Sequence, residues 1–448
     1  MNMEEVFLRS KSTTRKLLVF GLPNLGTSII MGFADFALFA LYKLAYDISP
    51  FLVGLALGLG KFTIAASQFF FGWISDAKYT RWGRRKPYII ILSPLLGLSF
   101  IFLLLPGLIL DLRDLNALFI WLLVWYQIFN ICYGVTSPYN AWMAEQFRVK
   151  DRPRASQYQQ FFGFLGYAII TAFSMIVLTG FVDNVKDNPD IIPPDFFYSV
   201  LIFGIIPIFL FYLTSFLISK EPHFKIDSKI IQNLKTILKN KNFLLATLMQ
   251  GISSIATIMI TGIMLIFIVE VLEFNGLDYY IAAGIMIFGI LFFLYIWKRL
   301  IQKLGKKKSL LYIFFSAFII LSLTLIGLIP MDSYIIFGFL FMIGLAGCLG
   351  GWALFPAIIY ADIAEDDETK TGELKAGIYT GFPSITLNLF QAFGLIIMGA
   401  ILELPNVGTL SYSIGLILWG PLCSMIFIIT YLFTRKFIQL DFEWEKKQ

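Results

Sequence analysis

Apolar runs of about twenty residues alternate along this chain with short clusters of charge, proline, glycine and asparagine, and the alternation recurs from end to end. Read between those breaks, the pattern predicts twelve helices near 17–45, 50–75, 87–107, 115–146, 160–181, 197–219, 243–272, 277–298, 309–330, 333–364, 377–404 and 407–434. A helix needs roughly 20 apolar residues to cross the ~30 Å hydrocarbon core of a bilayer. The polar stretch Met1 to Lys16 leads into a first run that is too long for a cleaved signal peptide, so it is expected to be a first membrane span.

Composition agrees with a lipid solvent. Of the 448 residues 58% are hydrophobic and 14% are charged, whereas soluble domains carry about 25% charge. Disordered, collagenous, coiled-coil and secreted disulfide-rich classes are excluded. Cys132, Cys348 and Cys423 all fall inside apolar runs without metal-like spacing, so neither a disulfide framework nor a zinc site is expected. They read as small buried hydrophobes.

The net charge of +6 could suggest nucleic acid, but its placement points to the bilayer instead. All of the 35 lysines and arginines except Lys43, Lys61, Arg113 and Lys186 fall in 1–16, 76–87, 148–154, 220–242, 298–308, 365–376 and 435–448. Cationic segments resist translocation. The bias predicts a multi-pass protein of the cell membrane with both termini cytoplasmic.

The basic loop 220–242 divides the chain into an expected six-helix bundle 1–219 and a second at 243–434, followed by a tail 435–448. A repeat supports the division. Arg81-Trp82-Gly83-Arg84-Arg85-Lys86-Pro87 is echoed by Lys303-Leu304-Gly305-Lys306-Lys307-Lys308-Ser309, and Pro138 to Glu145 by Pro356 to Asp362. Gly72 lets two helices approach, Asp76 can hold a cation or cap a helix, and Arg84 and Arg85 offer forked hydrogen bonds to a carboxylate. Together with Gly83 they suggest a latch at the basic face. The plainer reading is that these charges only set topology.

These blocks resemble the glycoside-pentoside-hexuronide cation symporters, the melibiose-permease-like family of the major facilitator superfamily. The resemblance is carried by Gly72-Trp73 with Arg81 to Tyr88, Pro138-Tyr139 to Glu145, Arg152 to Phe162, and Ala361 to Asp366 with Thr371-Gly372 and Gly377 to Gly381. It implies an all-α major facilitator fold of two pseudo-symmetric bundles and a solute site reached by alternating access. It also implies that Glu145, Arg154, Asp362 and Asp366 gate the cytoplasmic side. The family's charged sodium and sugar positions are replaced: Ile64 and Gln68 stand where two carboxylates bind sodium, while Ser28, Thr136, Gln160 and Asn388 stand where charged groups serve the sugar. Neither Ile64 nor Gln68 supplies the negative charge a hard cation needs.

Two charges remain within the spans, where an ionisable group is costly unless paired or facing water. Asp35 and Lys61 lie at similar height on the first and second runs and are expected to meet. A structural salt bridge and a role in substrate binding or proton coupling both fit. Polar residues also recur at helical spacing: Asn24, Ser28, Met31 and Asp35; Lys61 and Gln68; Asn130, Tyr133, Ser137 and Asn140; Gln250, Ser254, Thr257 and Thr261; Thr380, Ser384, Asn388 and Gln391. Such stripes serve as packing contacts between helices or line a cavity. With Trp125, Tyr126, Tyr139 and Trp352 nearby, they suit a neutral hydroxyl-bearing solute.

No catalytic constellation emerges. His223 is the only histidine and lies in the 220–242 loop, and no Walker loop is present. The expectation is a transporter or facilitator of a sugar or glycoside, without cofactor or metal site, coupled to protons rather than sodium, with Asp35 the candidate carrier. The alternatives on the same fold are a carrier of a lysolipid or amino-acid-like solute, or a non-transporting receptor or scaffold.

Overall fold

The computed structural model describes residues 13–77, 79–147, 151–187, 191–219, 238–371, 382–408 and 410–440. Most of the expected 220–242 linker with His223, the end of the 435–448 tail, Thr380, the first turn expected at 377 and the side chain of Asp76 lie outside the described residues.

Among the described residues twelve helices are long and apolar enough to cross a membrane. They are α1 (Thr14–Phe36), α2 (Pro50–Ser75), α3 (Lys86–Leu104), α4 (Leu115–Met143), α5 (Arg154–Val185), α6 (Pro194–Leu217), α7 (Lys241–Glu270), α8 (Leu277–Leu304), α9 (Lys306–Leu328), α10 (Ile335–Asp367), α11 (Pro383–Leu402) and α12 (Gly415–Phe437). In hydrocarbon the backbone must satisfy its own hydrogen bonds, which forces helices on apolar runs. Their ends carry local signals. Asp114 accepts from the N–H groups of Asn116 and Ala117, and Asn240 from that of Phe243. Proline opens α6 and α11, and Gly305 at φ 86° turns the chain from α8 into α9.

Several helices depart from the expected continuous runs. The run 17–45 is broken: Thr14–Gly21 and Pro23–Phe36 are followed by a π-helical turn, Leu41–Ala45. The run 115–146 is interrupted after Tyr133 and resumes at Thr136. There Pro138 lacks the N–H that would reach the carbonyl four residues back, and Gly134 accepts from Ser137 instead at 3.1 Å. The twelfth helix begins at Gly415 rather than 407 because Pro405 and Gly408 (φ 65°) favour a turn, closed by Ser413 Oγ donating to the Leu404 carbonyl at 2.6 Å.

The chain forms two compact units, Met1–Ile48 with Leu59–Lys225, and Ser49–Gly58 with Ile226–Gln448. In the first unit α3 and α6 touch at backbone level. A Cβ on Gly97 would lie 2.2 Å from the Gly204 carbonyl oxygen. Gly97→Ala must push these helices apart, so a loss of about 1–3 kcal/mol is expected, read as a lower melting temperature of the detergent-solubilised protein. The same unit packs Phe20, Tyr139, Trp142 and Phe147 into an aromatic core, with the Tyr139 hydroxyl donating to the Phe20 carbonyl.

In the second unit α7 meets α11 where Gly394 lies against Ile255, and α9 meets α12 where Gly420 lies against Thr324 and the Leu321 carbonyl. Ser49–Gly58, the approach to and first turns of α2, belong here too, although the expected boundary at 219 kept them with the first bundle. Gly54 rests on the Leu395 carbonyl and Gly399, and the Glu403 carboxylate accepts from the Ser49 hydroxyl at 2.9 Å and the Phe51 N–H at 3.2 Å.

Candidate functional site

Asp35 stands in the last turn of α1 and Lys61 near the middle of α2, and their side chains meet. Lys61 Nζ lies 2.7 Å from Asp35 Oδ1, with the lysine side chain 1% exposed and the aspartate 23% exposed. An ammonium at that depth without a counter-charge would cost several kcal/mol, so the carboxylate is the condition for the lysine being there.

Neighbouring helices close around the pair through two glycines. A Cβ on Gly60 would fall 2.0 Å from Tyr126 and 2.6 Å from Asn130 Nδ2, so the missing side chain seats α4 against α2 next to Lys61. Gly32, one turn before Asp35, lets α5 approach in the same way, with Tyr167 against it. Tyr126, Tyr133 and Tyr167 all lie within the electrostatic reach of Asp35. Tyr126 is fully buried and Tyr167 is 47% exposed. The expected meeting of Asp35 and Lys61 is thus observed, inside the first unit and with α4 and α5 contributing.

The polar stripes divide differently. Ser28 is buried against Gly163 and Gly166 of α5, a close helix contact, while Asn24 on the same face is half-buried. Asn130 Nδ2 donates to the Tyr126 carbonyl at 2.8 Å, and Asn388 Nδ2 to the Ser384 carbonyl at 2.9 Å. Both amides thereby spend a donor on their own helix. Among the described residues no hydrogen bond falls on the buried Asn130 Oδ1. Gln68 Nε2 donates to Thr136 Oγ1 at 3.2 Å, which joins two expected residues across α2 and α4.

Asn140, Gln160 and Ser384 are exposed, and Trp352 is half-buried with its ring 5.4 Å from that of Phe314. Gln159, not Gln160, is the buried member of its pair and reaches Asn140 Oδ1 at 3.5 Å. On α7 the hydroxyls of Ser254, Thr257 and Thr261 bond carbonyls of their own helix, and the Tyr360 hydroxyl of α10 donates to Gln250 Oε1.

Of the expected latch and gating residues, Arg84, Arg85, Glu145 and Asp362 form ion pairs, each within its own unit. Gly83, at φ 104°, pairs its backbone with Thr80 in a tight turn that returns the chain after α2. That turn sets Arg84 Nη2 at 2.9 Å and Arg85 Nε at 3.0 Å from Glu145 Oε1, while Arg85 Nη1 donates to Ser75 Oγ at 2.7 Å. Gly72 lies against Ser137, the close approach its lack of a side chain permits. In the second unit Lys306 Nζ lies 2.8 Å from Asp362 Oδ2. Arg154 is exposed, and the Asp366 carbonyl accepts from the Thr369 hydroxyl at 2.9 Å.

The sequence reading did not single out Tyr167, Gln159 or Lys306 as site residues. Tyr167 follows Gly163 by one helical turn, and the Gly163–Gly166 pair marks the face of α5 that meets α1. That spacing was the one available signal for it.

A family model described as MFS/sugar transport protein matches residues 19–415. No curated protein matches the chain by sequence. Among solved structures, a D-xylose-proton symporter aligns with a TM-score of 0.66 at 14% identity, covering 95% of this chain and 96% of its own. The nucleoside transporter NupG gives 0.61 at 14% identity, over 95% of this chain and all of its own. A bacterial homolog of the human lysosomal transporter Spinster gives 0.64 at 14% identity over 96% of both chains.

Proposed function

The chain belongs to the MFS/sugar transport protein family, and from that premise we propose that it is a secondary transporter of a small polar solute, a sugar or glycoside, coupled to protons through Asp35 and Lys61. It is a multi-pass membrane protein of the major facilitator fold. In this reading bundles 1–219 and 243–434 alternate access around the solute, with both termini on the cytoplasmic side of the cell membrane, as the distribution of basic loops suggests.

The observation that carries the proposal is the ion pair itself. Lys61 is wholly enclosed and leans on Asp35, while Asp35 keeps part of its surface open. A proton on Asp35 and an intact Asp35–Lys61 pair exclude one another, because a neutral acid cannot offset a buried ammonium. Proton binding therefore favours whichever arrangement of the helices gives Lys61 another partner, which is the differential interaction a coupled transporter needs. Around the pair, tyrosine rings and hydroxyls suit a ring-shaped solute with many hydroxyl groups. The symporter and nucleoside-transporter likenesses support a polar cargo of this kind.

The test is solute-driven proton movement in proteoliposomes holding a pH-sensitive dye, challenged in turn with pentoses, hexoses, glycosides and nucleosides. One of these is expected to acidify the dye-filled lumen as it enters, with sodium making no difference. Sodium-dependent uptake without proton movement would reject the coupling.

A further inference from the structure

The two charges at the Asp35–Lys61 pair are not offered equally. The ammonium is enclosed, with its side chain 1% exposed and its one hydrogen bond among the described residues made to Asp35 Oδ1. The carboxylate is the exposed partner, and among the described residues no hydrogen bond falls on Oδ2. Approaching matter therefore meets the negative carboxylate before the ammonium, with the half-exposed ring of Tyr167 packed against Gly32 one turn before Asp35.

We propose that this exposed carboxylate and hidden ammonium act as a filter for charge sign, admitting donor-rich neutral and cationic sugars and turning away uronates and sugar phosphates. A sugar hydroxyl donates to Oδ2 and stacks its ring on tyrosine. An amino sugar gains further from the carboxylate. An anionic sugar keeps its hydroxyl donors but sets a second negative charge against the Asp35 carboxylate, and Lys61 cannot compensate because its ammonium is enclosed and already engaged. The discrimination is one of unfavourable charge, so it needs no clash of shape. The inference rests on the reading of the protein as a sugar transporter.

It is tested by thermal shift of the purified full chain against matched sets: neutral hexoses and pentoses, their uronates and phosphates, and their 2-amino analogues. Neutral and amino sugars are expected to stabilise the protein, with the matching anions needing about tenfold or higher concentration for the same shift. In Asp35→Asn the gap between a neutral sugar and its uronate is expected to shrink. Should that variant fold poorly, Asp35→Asn with Lys61→Gln, which removes both charges, carries the same comparison. A uronate or phosphate that stabilises the natural protein as well as its neutral parent overturns the filter and leaves sugar transport standing. A gap that survives in both variants overturns its assignment to Asp35. No shift with any sugar class overturns the sugar reading, and the filter with it.

Discussion

Asp35→Asn is expected to reduce uphill accumulation to the equilibrium level while measurable downhill exchange persists. The amide has nearly the shape of the carboxylate and keeps an acceptor for Lys61 Nζ, 2.7 Å away in the natural pair, so it costs less than alanine although it no longer offsets the ammonium's charge, and it cannot take up and release a proton. The measurement is the steady-state ratio of labelled solute across proteoliposomes under an imposed pH gradient, beside counterflow without one. Uphill uptake at the natural level would reject Asp35 as the proton carrier. Asp35→Ala goes further, because it leaves the enclosed ammonium with no partner. A loss of about 3–5 kcal/mol is expected, seen as a marked fall in melting temperature. Combining it with Lys61→Met is expected to recover most of that loss, since removing both charges also removes the penalty.

Glu145→Ala is expected to be comparably damaging for the same physical reason at a different place. Arg84 and Arg85 are 3% and 4% exposed, and both direct a guanidinium nitrogen to one oxygen of Glu145. Removing the carboxylate that both share takes a charged partner from two enclosed cations at once, with an expected cost of about 3–5 kcal/mol. Glu145→Gln keeps a hydrogen-bond acceptor but not the charge, so it is expected to fall between the natural protein and the alanine variant. Thermal melting of the three proteins side by side checks this order. Equal stability of all three would show that the arginines take their support elsewhere. If the cluster also gates the basic face, the glutamine variant exchanges solute faster than the natural protein.

The ion pairs were legible because charge inside an apolar run is costly and must be answered by charge nearby. Asp35 and Lys61 are rare exceptions within their runs, which made them candidates for each other. Glu145 and Asp362 were visible for a related reason: each lies near the end of a long apolar helix, beside a basic loop, and each is found on a cation from another basic segment, Glu145 on Arg84 and Arg85 of 76–87 and Asp362 on Lys306 of 298–308. The polar stripes were less informative. A serine or asparagine at helical spacing looks the same in sequence whether it faces a cavity, a glycine of the next helix or its own backbone. Ser28 turned out to fill a notch beside Gly163 and Gly166, and Asn388 to bond its own helix.

The sequence by itself determined the twelve spans, the two-fold repeat and the pairing of Asp35 with Lys61, because hydrophobic length and the cost of unpaired charge act on the chain locally. Only the tertiary structure decided which partner of that pair is shown and which is hidden, and that Tyr167 stands beside it. It also decided that the segment Ser49–Gly58 belongs with α11 rather than with the rest of α2. Exposure and helix contacts depend on which glycines of distant helices meet, and that is fixed by packing in three dimensions rather than by any periodicity along one run.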